Sequence, residues 1–111
     1  MRSQCPPPKS KSQKIQDRWE KHFNSREFVE FVSQLPCEKC GQVYRYGNHV
    51  HHEPPKGRGG TWETVVALCP DCHVFGPGAR HTVGPVTFWP KGYEEATART
   101  HAAWLAHIDA Q

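Results

Sequence analysis

Cys37-Glu38-Lys39-Cys40 and Cys69-Pro70-Asp71-Cys72 decide how this chain folds. The two Cys-x2-Cys pairs stand 28 residues apart. Each such turn presents two sulfurs, and a tetrahedral zinc ion takes four soft ligands. The spacing therefore predicts one structural Zn2+ on Cys37, Cys40, Cys69 and Cys72. A site of this kind contributes about 10–16 kcal/mol of apparent folding free energy. A chain of 111 residues that is only 36% hydrophobic builds a thin core and depends on such a staple. Two disulfides are the competing reading, but the N-terminus shows no apolar signal segment, which argues against an oxidising compartment. A redox Cys-x-x-Cys explains one pair and not the match of two. Cys5 is left over and is read as free.

Between the pairs, Val65-Val66-Ala67-Leu68 reads as a short buried strand running into the second pair. A first strand ends at Val50-His51-His52-Glu53-Pro54, and the loop Lys56-Gly57-Arg58-Gly59-Gly60 follows it. Pro70 suits the first turn of a helix that carries His73. Neighbouring strand residues point to opposite faces, so His51 and His52 are expected to have different roles. The loop reads either as a plain hairpin turn or as a phosphate contact, and its two cations favour the latter.

Helices flank this middle segment. Residues 15–35 read as two helical pieces or one bent helix. Asn24-Ser25-Arg26-Glu27 resembles a capping box, Phe28, Phe31, Val32 and Leu35 share a face, and Pro36 is the stop. A C-terminal helix is expected over about 93–109, with Ala96, Thr100, Ala103, Trp104 and Ile108 on its apolar face. Residues 1–13 read as a disordered basic tail, and residues 14–111 as one domain with its zinc-bearing core at 36–81. The fold class is α+β: a small zinc-stapled core between N-terminal and C-terminal helices. No apolar run reaches the roughly 20 residues of a membrane span. The net charge of +3 is concentrated in the tail and the middle segment. That placement suits a nucleic-acid partner, or equally an ordinary solvated surface. His22, His49, His101 and His107 read as surface or packing residues.

Taken in order, Val50-His51-His52-Glu53-Pro54, Gly59-Gly60 and Leu68-Cys69-Pro70-Asp71-Cys72-His73 resemble the HNH endonucleases in their zinc-ribbon form. The resemblance covers about residues 37–81. The stretch from His73 through His81 to Phe88 is more distantly similar to phage-type members. The resemblance implies a ββα-metal core in which a hairpin and a helix hold one catalytic Mg2+ or Mn2+. It assigns His51 and His73 as ligands, His81 as a candidate third ligand, and His52 as general base. The chemistry agrees: imidazole matches the proton acceptor that phosphodiester hydrolysis needs near neutral pH, and a divalent ion neutralises the developing charge. His52 is then expected across the strand from the ion, with one nitrogen open to an attacking water and the other donating to a backbone carbonyl.

DNA is the implied partner, with Lys56, Arg58 and Arg80 as candidate contacts. Thr64 stands where the family has its central Asn, which ties the loop together through backbone hydrogen bonds. A hydroxyl makes some of those bonds, so the departure bears on efficiency more than on fold. The resulting expectation is a metal-dependent DNA endonuclease that nicks one strand per site. It acts as a monomer or weak dimer in an intracellular, phage or prophage setting. The alternative is a zinc-ribbon nucleic-acid-binding module without catalysis.

Overall fold

A computed structural model describes residues 7–111. Helices α1 (Lys11–Phe23) and α2 (Arg26–Ser33) lead into strands β1 (His49–His52) and β2 (Val65–Leu68). Two short helices, α3 (Arg80–Val83) and α4 (Pro85–Phe88), and the long α5 (Glu94–Asp109) complete the chain. The class is α+β, as expected. Cys5 and the start of the expected tail lie outside the described residues. Among those described, no helix is long and apolar enough to cross a membrane.

The two strands are antiparallel, pairing His49 with Leu68, Val50 with Ala67, His51 with Val66 and His52 with Val65. Every residue of β2 is buried, which is why its sequence is a continuous apolar run and does not alternate. Val66 and Leu68 join Cys37, Cys69, Phe88 and Ala96 in one lobe of the core. Val65 and Ala67 join Phe28, Val32 and Trp104 in the other. Residues directly opposite in an antiparallel pair share a face. His51 therefore follows Val66 to the first side of the sheet, and His52 follows Val65 to the second.

The N-terminal helices divide where the sequence suggests. Asn24 takes a left-handed φ of 62°, and the Ser25 hydroxyl accepts the Phe28 N–H to start α2. The tail boundary differs from expectation. Ser10 caps α1 by accepting the Gln13 N–H, and Lys9 pairs with Asp17, so residues 11–13 are helical. A serine among lysines looks like low complexity until it is placed at a helix start. No residue of α1 is buried. In α5 the buried residues are Ala96, Thr97, Thr100 and Trp104. Ile108, expected on that face, is 39% exposed, because the helix runs beyond the core there.

The segment carrying His73 is shorter than the expected helix. It is a single widened turn, Asp71–Phe75, in which the Gly76 N–H donates to the Asp71 carbonyl at 2.8 Å. A Cβ on Gly76 would lie 2.6 Å from that oxygen, so the turn requires glycine. Gly76-Pro77-Gly78 then redirects the chain into α3, and His73 and His81 come from separate pieces.

Candidate functional site

Two ligand clusters lie against the sheet. Cys37, Cys40, Cys69 and Cys72 bring their sulfurs within 4.8 Å of one another, with Cys40 and Cys69 at 3.6 Å. Zn–S bonds of about 2.3 Å in a tetrahedron put sulfurs about 3.8 Å apart, so the spacing fits zinc. Local structure arranges them. The Cys37 N–H donates to the Gln42 carbonyl and the Gly41 N–H to that of Cys37, folding residues 37–42 into a tight knuckle. The Glu38 N–H donates to the Ala67 carbonyl at 3.0 Å, fastening the knuckle to β2. Asn48 clamps it from behind, its amide donating to the Leu35 and Gln42 carbonyls and its oxygen accepting the Tyr44 N–H. Burial and the neighbouring sulfurs push the Cys72 thiol up. Burial also opposes ionisation of Cys37, but backbone N–H groups at Cys69, Cys40 and Lys39 outweigh it and hold that thiol at about 7. Four sulfurs at this distance could hold a cation such as zinc.

The second cluster is His51, His73 and His81, whose nitrogens also lie within 4.8 Å of one another. His51 Nδ1 is 3.2 Å from His73 Nε2, which is 3.0 Å from His81 Nε2. Nitrogens sharing one ion at about 2.0–2.1 Å stand close to these separations. Burial and then the surrounding imidazoles push His73 down to about 4, which keeps that ring neutral and able to ligate a metal. His51 is buried, His73 half-buried and His81 exposed, leaving the cluster open on one side. A set of three imidazoles suits Zn2+ and related ions. Mg2+, expected with Mn2+ from the resemblance, prefers oxygen ligands and finds none among these three residues.

Behind the cluster sits Glu53, 1% exposed. Its Oε2 accepts from His51 Nε2 at 3.0 Å, Arg80 Nε at 2.6 Å and Trp89 Nε1 at 2.9 Å, and its Oε1 accepts from Arg80 Nη2 at 3.0 Å. Burial alone would raise this carboxyl, but these donors prevail and hold it at about 2. His49 backs His73 in a similar way, with their Nδ1 atoms 2.7 Å apart.

His52 is not brought into the cluster. It turns to the opposite face, as strand alternation requires, but that face is covered by the end of α1. Its Nε2 donates to the His22 carbonyl at 2.6 Å, and its ring meets the edges of His22 and Phe23. His22 is itself tied by Nδ1 to the Gly60 carbonyl at 2.9 Å. Only 6% of His52 is exposed, and burial lowers its pKa against the raising effect of the His22 carbonyl. The carbonyl partner expected for the ring is present; the open side for an attacking water is not.

Of the three candidate phosphate contacts, Lys56 and Arg58 are exposed on the interstrand loop, with Lys56 Nζ 4.4 Å above the Phe23 ring. Arg80 is different: it is buried and committed to Glu53 by two hydrogen bonds, so its fork is not free for a phosphate. Thr64 does close the loop as its position suggests. Its hydroxyl donates to the Thr61 carbonyl and accepts the Thr61 N–H, both at 3.2 Å. Gly60 is required for close approach, since a Cβ there would lie 2.0 Å from the Pro54 carbonyl oxygen.

The sequence reading missed Glu53, His49, Trp89 and the inward role of Arg80. Period-two alternation from His51 was the available signal for His49 and Glu53. No local pattern points to Arg80 or Trp89 as their partners. The chain matches no protein-family model, no curated protein and no solved structure.

Proposed function

We propose that this protein is a metal-dependent DNA endonuclease, of the kind the HNH resemblance implies, that hydrolyses phosphodiester bonds and nicks one strand per encounter. The observation that carries this reading is a three-imidazole cluster, one protein ligand short of a tetrahedral set, beside a four-sulfur cluster. Structural zinc sites use four protein ligands, whereas three ligands with an accessible side leave room for a water and a substrate oxygen. A Zn2+ or Mn2+ bound there would supply a Lewis acid that neutralises charge on the phosphodiester oxygens. His51 and His73 fix the site from the sheet and the turn, and His81 completes it at the rim. Lys56 and Arg58 meet the DNA backbone and set its path without reading sequence. One site per chain cuts one strand, so a double-strand break needs two events or two chains.

In this reading His52 takes the proton from the attacking water only when the end of α1 withdraws. The sealing of His52 is also the observation that favours the alternative, a binding module in which that ring supports the fold. Nicking of supercoiled plasmid with Mn2+, Zn2+ or Mg2+, and with EDTA, separates the two. Activity is expected with Mn2+ or Zn2+, lost with EDTA and in His73→Ala, and reduced by about 10²–10⁴-fold in His52→Ala. Nicking that survives His73→Ala, or none with any ion, would overturn the nuclease reading.

A further inference from the structure

We propose that Glu53 is a positioning residue of the three-histidine site: locked by Arg80 and Trp89, its carboxylate accepts a hydrogen bond from His51 Nε2–H and commits that ring to bind an ion through Nδ1. The inference rests on the reading that His51, His73 and His81 hold an ion, and it adds what sets their geometry. A neutral imidazole carries one proton, and either nitrogen can bear it. For His51 the neighbours decide. Nε2 faces a carboxylate oxygen at 3.0 Å, and an ionised carboxylate only accepts, so the proton belongs on Nε2. Nδ1, 3.2 Å from His73 Nε2, is then bare and aimed into the cluster.

Glu53 can hold this orientation because it has no freedom of its own. Arg80 grips both carboxylate oxygens and the Trp89 indole binds one of them, in a space from which solvent is excluded. Arg80 lies in α3, one residue before His81, and Trp89 follows α4. The same carboxylate therefore ties the β1 ligand to the segment that carries the His81 ligand. An outer carboxylate of this kind orients its imidazole and raises its basicity. The arrangement also accounts for a buried ion pair in a small protein. A pair of apolar residues would serve packing equally well and could not fix a tautomer.

The test uses protein with zinc retained on the four cysteines and Co2+ as the probe for the second site. In protein without the second ion, long-range proton–nitrogen NMR should show His51 with its proton on Nε2. Glu53→Leu combined with Arg80→Met removes the pair without leaving a buried charge. That variant should keep one zinc and bind Co2+ about 10–100-fold more weakly, with a mixed His51 tautomer. A wild-type His51 protonated on Nδ1 would overturn the inference, as would a double variant that binds Co2+ as tightly as wild type. If the double variant does not fold, the wild-type tautomer decides alone. These readouts are independent of cleavage: normal Co2+ binding and tautomer without nicking would remove the nuclease reading and leave this one standing.

Discussion

Arg80 shows how one residue changes meaning between sequence and structure. As a cation in a basic stretch it suggests a phosphate contact; in the fold it neutralises Glu53 in the interior. The two roles predict opposite stabilities. Arg80→Ala strands a buried carboxylate and should cost about 3–5 kcal/mol in urea unfolding. Arg58→Ala, on the exposed loop, should stay within about 0.5 kcal/mol of wild type. A mild Arg80→Ala would return that side chain to the surface. With Arg80 withdrawn, two of the three expected loop-side phosphate cations remain. Replacing Lys56 and Arg58 by Ala should lower the slope of log affinity against log salt by about 1.8, since each phosphate contact contributes about 0.9. The four cysteines were legible from their pairwise spacing, whereas the grouping of His51, His73 and His81 came only from the family resemblance. The Glu53 clamp was not legible, because its partners lie 27 and 36 residues along the chain and meet it only through the packing of α3 and α4.

The elements divide along a similar line. The Val65–Leu68 strand was readable because both its faces are buried, and such a strand must be apolar throughout. The break before α2 was readable from its cap. What α1 covers was not readable: none of its residues is buried, yet the His22 carbonyl and the His22 and Phe23 rings at its end close over His52. A helix that contributes nothing fully buried should be separable from the core. Removing residues 1–24 leaves the Ser25 cap of α2 and both core lobes in place. The truncated protein should therefore still unfold cooperatively. Hydrogen–deuterium exchange at imidazole C2, read by mass spectrometry, should quicken at His52 and stay unchanged at His51. Nicking should rise if α1 holds His52 back from its proton. Unchanged exchange at His52 would show that something other than α1 seals that ring.

At the scale of the whole molecule, stability and chemistry are divided between the two clusters in the proposed reading. The four sulfurs join the knuckle at residues 37–42 to the turn after β2, and Cys37 and Cys69 are themselves part of a core lobe with Val66, Leu68 and Phe88. That lobe is small, and without a cation its crowded sulfurs face one another as thiols or as repelling thiolates. A contribution of about 10–16 kcal/mol from zinc is as large as the whole net stability of an ordinary domain, about 5–15 kcal/mol, so the fold should not survive its loss. The histidine cluster is different. It has three protein ligands rather than four, and its rings already hydrogen-bond one another and their backing groups, so they have partners whether or not an ion is present. Cys37→Ala should accordingly give no cooperative thermal transition. His73→Ala should melt near wild type and retain about one zinc per chain by elemental analysis. Stripping all metal with a strong chelator and returning one equivalent of zinc should restore the folded circular dichroism spectrum before any nicking returns. A second equivalent of Zn2+, or added Mn2+, should then restore nicking without further change in the spectrum. Coincident recovery of fold and nicking at the first equivalent would mean that the two clusters act as a single site.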